Sequence, residues 1–240
     1  FIYVWKFSNE ILKSKALALV SLLALEGIFF YNFTTPEFNV NVSQLPFWAM
    51  TVYFFWKGLQ TNRKTFWFLF GISSALGFLS KYLFVYILAS LFLYLIFNLK
   101  KYKNQIINYF FSVIISLLIL TPHFIWLYEN NYSTITYGLR RSGLGNTEFI
   151  AHLVNPIIFT FNQLIILLPF IIMIVVLLKK VKVFKLKNQK IIFLFFISFL
   201  PIILVLITSF FTGAKIRTMW MTPFYLFFGV FFIEYFKKNI

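Results

Sequence analysis

Long apolar stretches separated by short polar ones run the whole length of the chain. They lie at about residues 16–33, 45–56, 66–80, 82–98, 106–122, 155–178, 191–211 and 220–236, and several are long enough to cross a hydrocarbon core about 30 Å thick. No ten-residue alternation of the outer-membrane barrel type is present. The pattern predicts an all-α fold, a polytopic transmembrane helical bundle of about eight membrane segments, forming a single domain over residues 1–240. The run TFWFLFGISSALGFLSKYLFVYILASLFLYLIF has 33 residues, too long for one upright span at about 1.5 Å per residue. Gly77, Ser80 and Lys81 interrupt it, so it is read as two segments.

Composition agrees with a membrane protein. Of the 240 residues 61% are hydrophobic and only 12% charged, and a soluble domain of this length could not hide that much apolar surface. The net charge of +16 would suit a nucleic-acid binder, but the basic residues cluster between apolar stretches, where a positive-inside bias puts them. No nucleic-acid partner is expected. Cysteine is absent, so disulfides are excluded. Heavy use of Lys, Asn, Ile and Phe points to an AT-rich genome. The segment FIYVWKFSNEILKSKA reads as the end of one helix running into a basic loop, which makes the chain an expected fragment lacking upstream helices. It shows no cleavable signal pattern.

Alternating the sides of successive segments sorts the cations. Lys81, Arg140, Arg141, Lys215 and Arg217 fall on one side, and the remaining seventeen of the 22 Lys and Arg fall on the other, which should then be cytoplasmic. Reading residues 65–97 as one helix would destroy this bias, an independent reason to divide the run. Glu37, Asn39, Asn41, Gln44, His123, Glu129, Glu148 and His152 join the five cations on the outer side. The inner loops are almost purely lysine, as topology requires only charge. Three of the five outer cations are Arg, whose planar fork suits bidentate phosphate or carboxylate binding.

Candidate chemistry therefore lies outside. In HFIWLYENNYSTITYGLRRSGLGNTEFIAHL, residues 123–153, Arg140 and Arg141 are placed to hold an anion while Gly138, Gly143 and Gly145 let backbone N–H groups approach it. The alternative is that the arginines snorkel to lipid headgroups and the glycines turn the chain. Asn146 or Thr147 could cap a helix that puts Glu148 and His152 on one face. With His123 they would make a poor ligand set for a divalent metal, so a structural pair is the favoured reading and no cofactor is expected. Lys81 is an ammonium where two apolar segments meet, a functional candidate by default unless it snorkels to the interface. Glu37, between Pro36 and Pro46, is placed to orient a sugar or an acceptor hydroxyl, or else belongs to a solvated loop. Glu26 is expected to be buried mid-helix. In GAKIRTMWMTP, residues 213–223, Lys215 and Arg217 occupy a short turn and Trp220 an interfacial position. Whether this turn meets the Arg140–Arg141 segment is left open by the sequence.

Taken in order, TPEFNVNVSQLPFWAMTVYFFWKGL, GISSALGFLSKYLFVYIL, TPHFIWLYENNYSTITYGLRRSG and GAKIRTMWMTPFYLFFG resemble the family 39 type of GT-C membrane glycosyltransferases. That group includes protein O-mannosyltransferases, lipid A aminoarabinose transferases and Rgt-like bacterial enzymes. The resemblance implies an inverting enzyme that takes a sugar from a polyprenyl-phosphate carrier and transfers it, on the outer side of the membrane, to a lipid, glycan or protein acceptor. For a bacterial enzyme that side is the periplasmic face of the inner membrane. It also implies that Lys81, Arg140, Arg141, Lys215 and Arg217 hold the carrier phosphate, with Glu37, His123 and Glu129 as further substrate contacts. The family's acidic first-loop pair, which supplies the general base, is missing, for the chain contains no Asp. The base is therefore expected upstream of Phe1. A transporter or flippase of lipid-linked saccharides is the competing reading, but it requires polar residues at mid-membrane and a repeat, neither of which is evident.

Overall fold

Local capping divides the chain before packing does. In the computed structural model, which describes residues 1–143, 148–178 and 188–237, α1 (Ile2–Leu12) ends at Lys13, whose left-handed backbone (φ 57°) turns the chain. Ser14 then starts α2 (Lys15–Leu23) by accepting the Leu17 N–H at 3.3 Å, the usual way an N-cap hydroxyl satisfies a free helical donor. A 3₁₀ turn (Ala24–Gly27) and the short α3 (Phe29–Asn32) follow. Asn39 caps α4 (Val40–Thr61) by accepting the Asn41 N–H at 2.8 Å, and Asn62 ends that helix at φ 52°, a conformation Asn tolerates better than most residues. Helix α5 (Lys64–Ser80) stops at Lys81, whose backbone is extended. The chain resumes as a 3₁₀ turn (Tyr82–Phe84), α6 (Val85–Phe97), α7 (Leu99–Tyr102), α8 (Ile106–Glu129), α9 (Ser133–Arg141) and α10 (Ala151–Leu177). It closes with α11 (Gln189–Ser198), α12 (Leu200–Thr212), a 3₁₀ stretch (Thr218–Tyr225) and α13 (Phe228–Phe236). No strand occurs among the described residues.

The fold is that of an all-α helical membrane protein, but the expected eight membrane segments are not found. Two helical stretches among the described residues, Leu99–Glu129 and Ala151–Leu177, are long and apolar enough to cross a membrane. The count reaches four if Gln189–Ser198 with Leu200–Thr212, bent by 41°, and Thr218–Tyr225 with Phe228–Phe236, bent by 49°, are each one span. Hydropathy runs through breaks that the backbone does not. The stretch at 16–33 is cut by the 3₁₀ turn at Ala24–Gly27. The run at 65–97 does divide at Lys81, into α5 of 17 residues and α6 of 13, roughly 25 and 20 Å long at about 1.5 Å per residue. Helix α4 has 22 residues, but Asn41, Ser43, Gln44 and Lys57 make it more polar. Glu26, expected to be buried, is exposed on the 3₁₀ turn.

Phe193 of α11 is the hub of the core: its ring packs on Phe7 of α1, Phe55 and Trp56 of α4 and Tyr94 of α6, at centroid distances of 4.8–6.2 Å. Close approach needs small residues. A Cβ on Gly71 would lie 2.6 Å from the Ser112 carbonyl, so α5 and α8 touch backbone to backbone there, and Ser116 Oγ donates to the Gly71 carbonyl at 2.8 Å. Buried hydroxyls also join helices, as Thr51 does by donating to Ser73 at 3.0 Å. Small and hydroxylated residues serve this purpose where lipid removes the hydrophobic drive between helices. Helices α8 and α10 instead present Ile107, Ile114, Leu118, Ile157, Phe161 and Ile165 outward, as lipid-facing helices do.

Beside these hydroxyl bonds inside the bundle, the contacts made by charged side chains gather at its two ends. At one end Lys57 pairs with Glu10 at 2.8 Å, Asn108 donates to Asn62 at 2.8 Å, Lys190 donates to the Ile11 carbonyl at 2.7 Å, and Lys101 meets Gln189. The opposite end carries Asn41, Lys81, Tyr82, His123, Arg141 and Lys215, the residues of the candidate site.

Candidate active site at the Lys81 end

Lys81 occupies the break between α5 and the following 3₁₀ turn, outside any of the spans. Its ammonium donates to Asn41 Oδ1 and lies 5.0 Å from the centroid of the Trp220 ring. Asn41 is held in the first turn of α4 by the Asn39 cap, and Trp220 by a backbone bond of 2.9 Å to the Arg217 carbonyl. No carboxylate pairs with Lys81 among the described residues. Burial, and secondarily the nearby positive charge of Arg141, lower its pKa to about 7. Desolvation disfavours an ammonium, and a like charge does so again. The group is poised to take an anion, which would restore its proton.

The chain beyond His123 is helical for longer than hydropathy suggests. Helix α8 continues through Pro122 to Glu129, a break that lipid-exposed helices tolerate. Asn131 and Tyr132, both at positive φ (49° and 54°), then turn the chain into α9. Arg141, in the last turn of α9, donates from Nη1 to the Tyr137 hydroxyl at 2.7 Å and lies 5.8 Å from that ring. Arg140 is exposed. The expected backbone donors are already committed: Gly138 lies within α9, and the Gly143 N–H bonds to the Arg140 carbonyl at 3.0 Å. Gly145, Asn146 and Thr147 lie outside the described residues.

Tyr82 ties these pieces together. Its hydroxyl is 2.9 Å from His123 Nε2 and 2.7 Å from Thr134 Oγ1, so one side chain, adjacent to Lys81, fixes α8 and α9 over the break. His123 is also stacked on Trp126, with centroids 6.0 Å apart. Sequence reasoning missed Tyr82; its signal was adjacency to Lys81 at the interruption of an apolar run. Glu37 and Glu129 are exposed, and the one bond at Glu37 involving a neighbouring side chain goes to its backbone carbonyl, from Asn39 at 3.2 Å.

The GAKIR turn does meet the α9 segment. The Lys215 N–H donates to the Ser142 carbonyl at 2.9 Å, and Gly213, left-handed at φ 67°, ends α12 just before it. Lys215 and Arg217 nevertheless line a cavity of about 310 Å³ with Asn155 and Asn162 of α10, and none of Lys81, Arg140, Arg141 or Trp220 lines it. The five cations expected in one pocket thus form two groups. Glu148 and His152 do not form the expected helical pair either, because α10 begins only at Ala151. His152 Nδ1 instead lies 2.9 Å from the Phe210 carbonyl. No three His, Asp or Glu side chains come together among the described residues.

A half-buried ammonium without an acidic partner among the described residues, at one end of an apolar helical bundle, is suited to holding an anion. The profile of the dolichyl-phosphate-mannose-protein mannosyltransferase family matches residues 1–126. The chain belongs to that family. As a member of it, it is a membrane glycosyltransferase of the mannosyltransferase type. No curated protein and no solved structure matches the chain. The matched residues include Asn41, Lys81, Tyr82 and His123 but stop short of Arg140, Arg141, Lys215 and Arg217. In this member of the mannosyltransferase family, the remaining cations are tied to the matched part through the Lys81–Trp220 contact and the Tyr82–Thr134 bond.

Proposed function

We propose that the protein transfers a sugar from a polyprenyl-phosphate carrier to an acceptor hydroxyl on a lipid, glycan or protein, at the Lys81 end of the bundle. In a bacterial cell membrane this end faces the periplasm and the lysine-rich end faces the cytoplasm. The observation that carries this reading is the half-buried Lys81 ammonium, held by Asn41 and Trp220 without an acidic partner among the described residues. The acceptor oxygen attacks the anomeric carbon from the face opposite the carrier, giving inversion, and its proton passes to a general base. As the bond from carbon to phosphate oxygen breaks, the departing polyprenyl phosphate gains a second negative charge. Lys81 and Arg141 stabilise that charge where it develops, the kind of term that contributes most to such catalysis. Glu37, His123 and Glu129 lie on the same side of the threading and contact the sugar or the acceptor.

Arg141→Gln or Lys81→Gln, assayed in the full-length protein with a polyprenyl-phosphate sugar, should each lower kcat/KM about ten- to a hundredfold, the effect of losing one charge-assisted hydrogen bond. Arg140→Gln should cost less, because the Arg140 guanidinium, unlike that of Arg141, is not oriented by a side-chain hydrogen bond among the described residues. Transfer that stayed at the wild-type rate in both Arg141→Gln and Lys81→Gln would refute the assignment.

A further inference from the structure

The second cationic group has its own geometry. Asn155, Ile158, Phe159 and Asn162 of α10 face Lys215, Ile216, Arg217, Thr218 and Met219 across the cavity of about 310 Å³. Spacings of three, four and seven residues put the four α10 positions on one helical face. The volume is at the lower end of the roughly 300–1,000 Å³ range of small-molecule sites, too small for a long oligosaccharide. No acidic residue lines the cavity, and neither Lys215 nor Arg217 forms an ion pair among the described residues. The cavity is therefore positive and uncompensated.

Its other polar groups narrow the ligand. The Asn155 amide nitrogen donates to the Gly213 carbonyl at 2.7 Å, which fixes the side chain and leaves Oδ1 as an acceptor. Asn162 offers both a donor and an acceptor, and Thr218 a hydroxyl. Such groups match the hydroxyls of a sugar, while Ile158, Phe159 and Ile216 supply an apolar wall for a ring face. An apolar groove of about 550 Å³ between α10 and α12 uses Pro156, Ile157, Thr160, Phe161 and Leu164, the opposite face of α10. The cavity is not the polar mouth of that groove, which argues against a single amphiphile filling both.

We propose that the cavity formed by Asn155, Asn162, Lys215 and Arg217 is a binding site for an anionic saccharide, the acceptor, separate from the Lys81 cluster that takes the donor phosphate. Calling the ligand an acceptor rests on the glycosyltransferase reading; its binding does not. The ammonium and guanidinium hold a phosphate or carboxylate on the sugar, and the amides hold its hydroxyls. The site remains tied to the donor cluster through the bond from Lys215 to Ser142, next to Arg141.

The test is equilibrium binding of hexose 6-phosphate, without any donor, to the full-length protein in phosphatidylcholine nanodiscs. Arg217→Gln should weaken it at least tenfold, as loss of one charge-assisted bond does. Asn162→Leu should weaken it several-fold while leaving inorganic phosphate binding unchanged, because only the sugar uses the amide. Lys81→Gln should leave hexose 6-phosphate binding as in wild type. Binding lost in Lys81→Gln but kept in Arg217→Gln would overturn the second site and leave the donor reading standing. Complete displacement of the sugar phosphate by phosphatidylglycerol in the nanodisc, with Asn162→Leu silent, would also overturn it by showing a lipid-headgroup site. Failure of the donor reading would appear instead in the transfer assay, with hexose 6-phosphate binding intact.

Discussion

Half-burying an ammonium without a carboxylate beside it is costly, and Asn41 and Trp220 hold Lys81 in that state. With its pKa lowered to about 7, Lys81 in the empty site is charged below that pH and neutral above it. A phosphodiester donor stays anionic across the range, so capture of the donor should weaken as pH rises through about 7. Because kcat/KM reports the free enzyme, we expect it to decline on that alkaline limb and to approach tenfold per unit. Lys81→Arg supplies a cation that does not titrate, so it should flatten the limb even if its different shape lowers the plateau. That variant separates Lys81 from His123, which sits nearby through Tyr82 and is left unchanged. A wild-type profile that stayed flat between about pH 6 and 9 would remove Lys81 from the donor site. Lys81, Arg141 and Lys215 could be singled out from sequence because charge is rare in such a chain. Tyr82, Asn155 and Asn162 could not, since the importance of a hydroxyl or an amide depends on partners far away in sequence.

At the scale of elements, the positions of the apolar stretches were legible and their continuity was not. Ser14 and Asn39 start helices through bonds of two or three residues' reach, whereas hydropathy averages over many residues and passes over them. The break at Lys81 was visible because an ammonium interrupts the run. The extension of α8 beyond Pro122 was hidden, because a proline and a histidine read as a loop although the helix continues to Glu129. That extension makes Tyr82 useful, as it puts His123 on a firm helix and leaves Thr134 on α9 within reach. Tyr82→Phe removes both bonds, each contributing roughly 0.5–1.5 kcal/mol. We expect KM for the lipid donor to rise about tenfold while kcat hardly moves, with a melting temperature lowered by a few degrees at most, since Tyr82 orients α9 and its arginine without touching reacting atoms. A fall in melting temperature with KM unchanged would reduce Tyr82 to a structural tie.

For the molecule as a whole, the contrast between its ends is the property that would give the proposed transfer a direction across the membrane. The pairs Lys57–Glu10 and Asn62–Asn108 close one end, and the Lys81 and Lys215 groups lie at the other, where α9 and the turn after α12 meet through Ser142. Counting cations by alternation brought these residues together although the number of qualifying spans is two to four. The assignment of these residues to one side of the membrane is therefore a proposal that needs its own test. The absence of cysteine lets this be tested directly with single reporters. Ser133→Cys, on the exposed start of α9, and Thr61→Cys, at the exposed end of α4, should react with a membrane-impermeant maleimide from opposite sides of sealed vesicles. The Ser133 reporter should react from the side on which transferred sugar accumulates. If both reacted from one side, the bundle would not hold its two ends apart across the bilayer, and a lipid-borne donor could not be met at Lys81 on a face distinct from the lysine-rich loops.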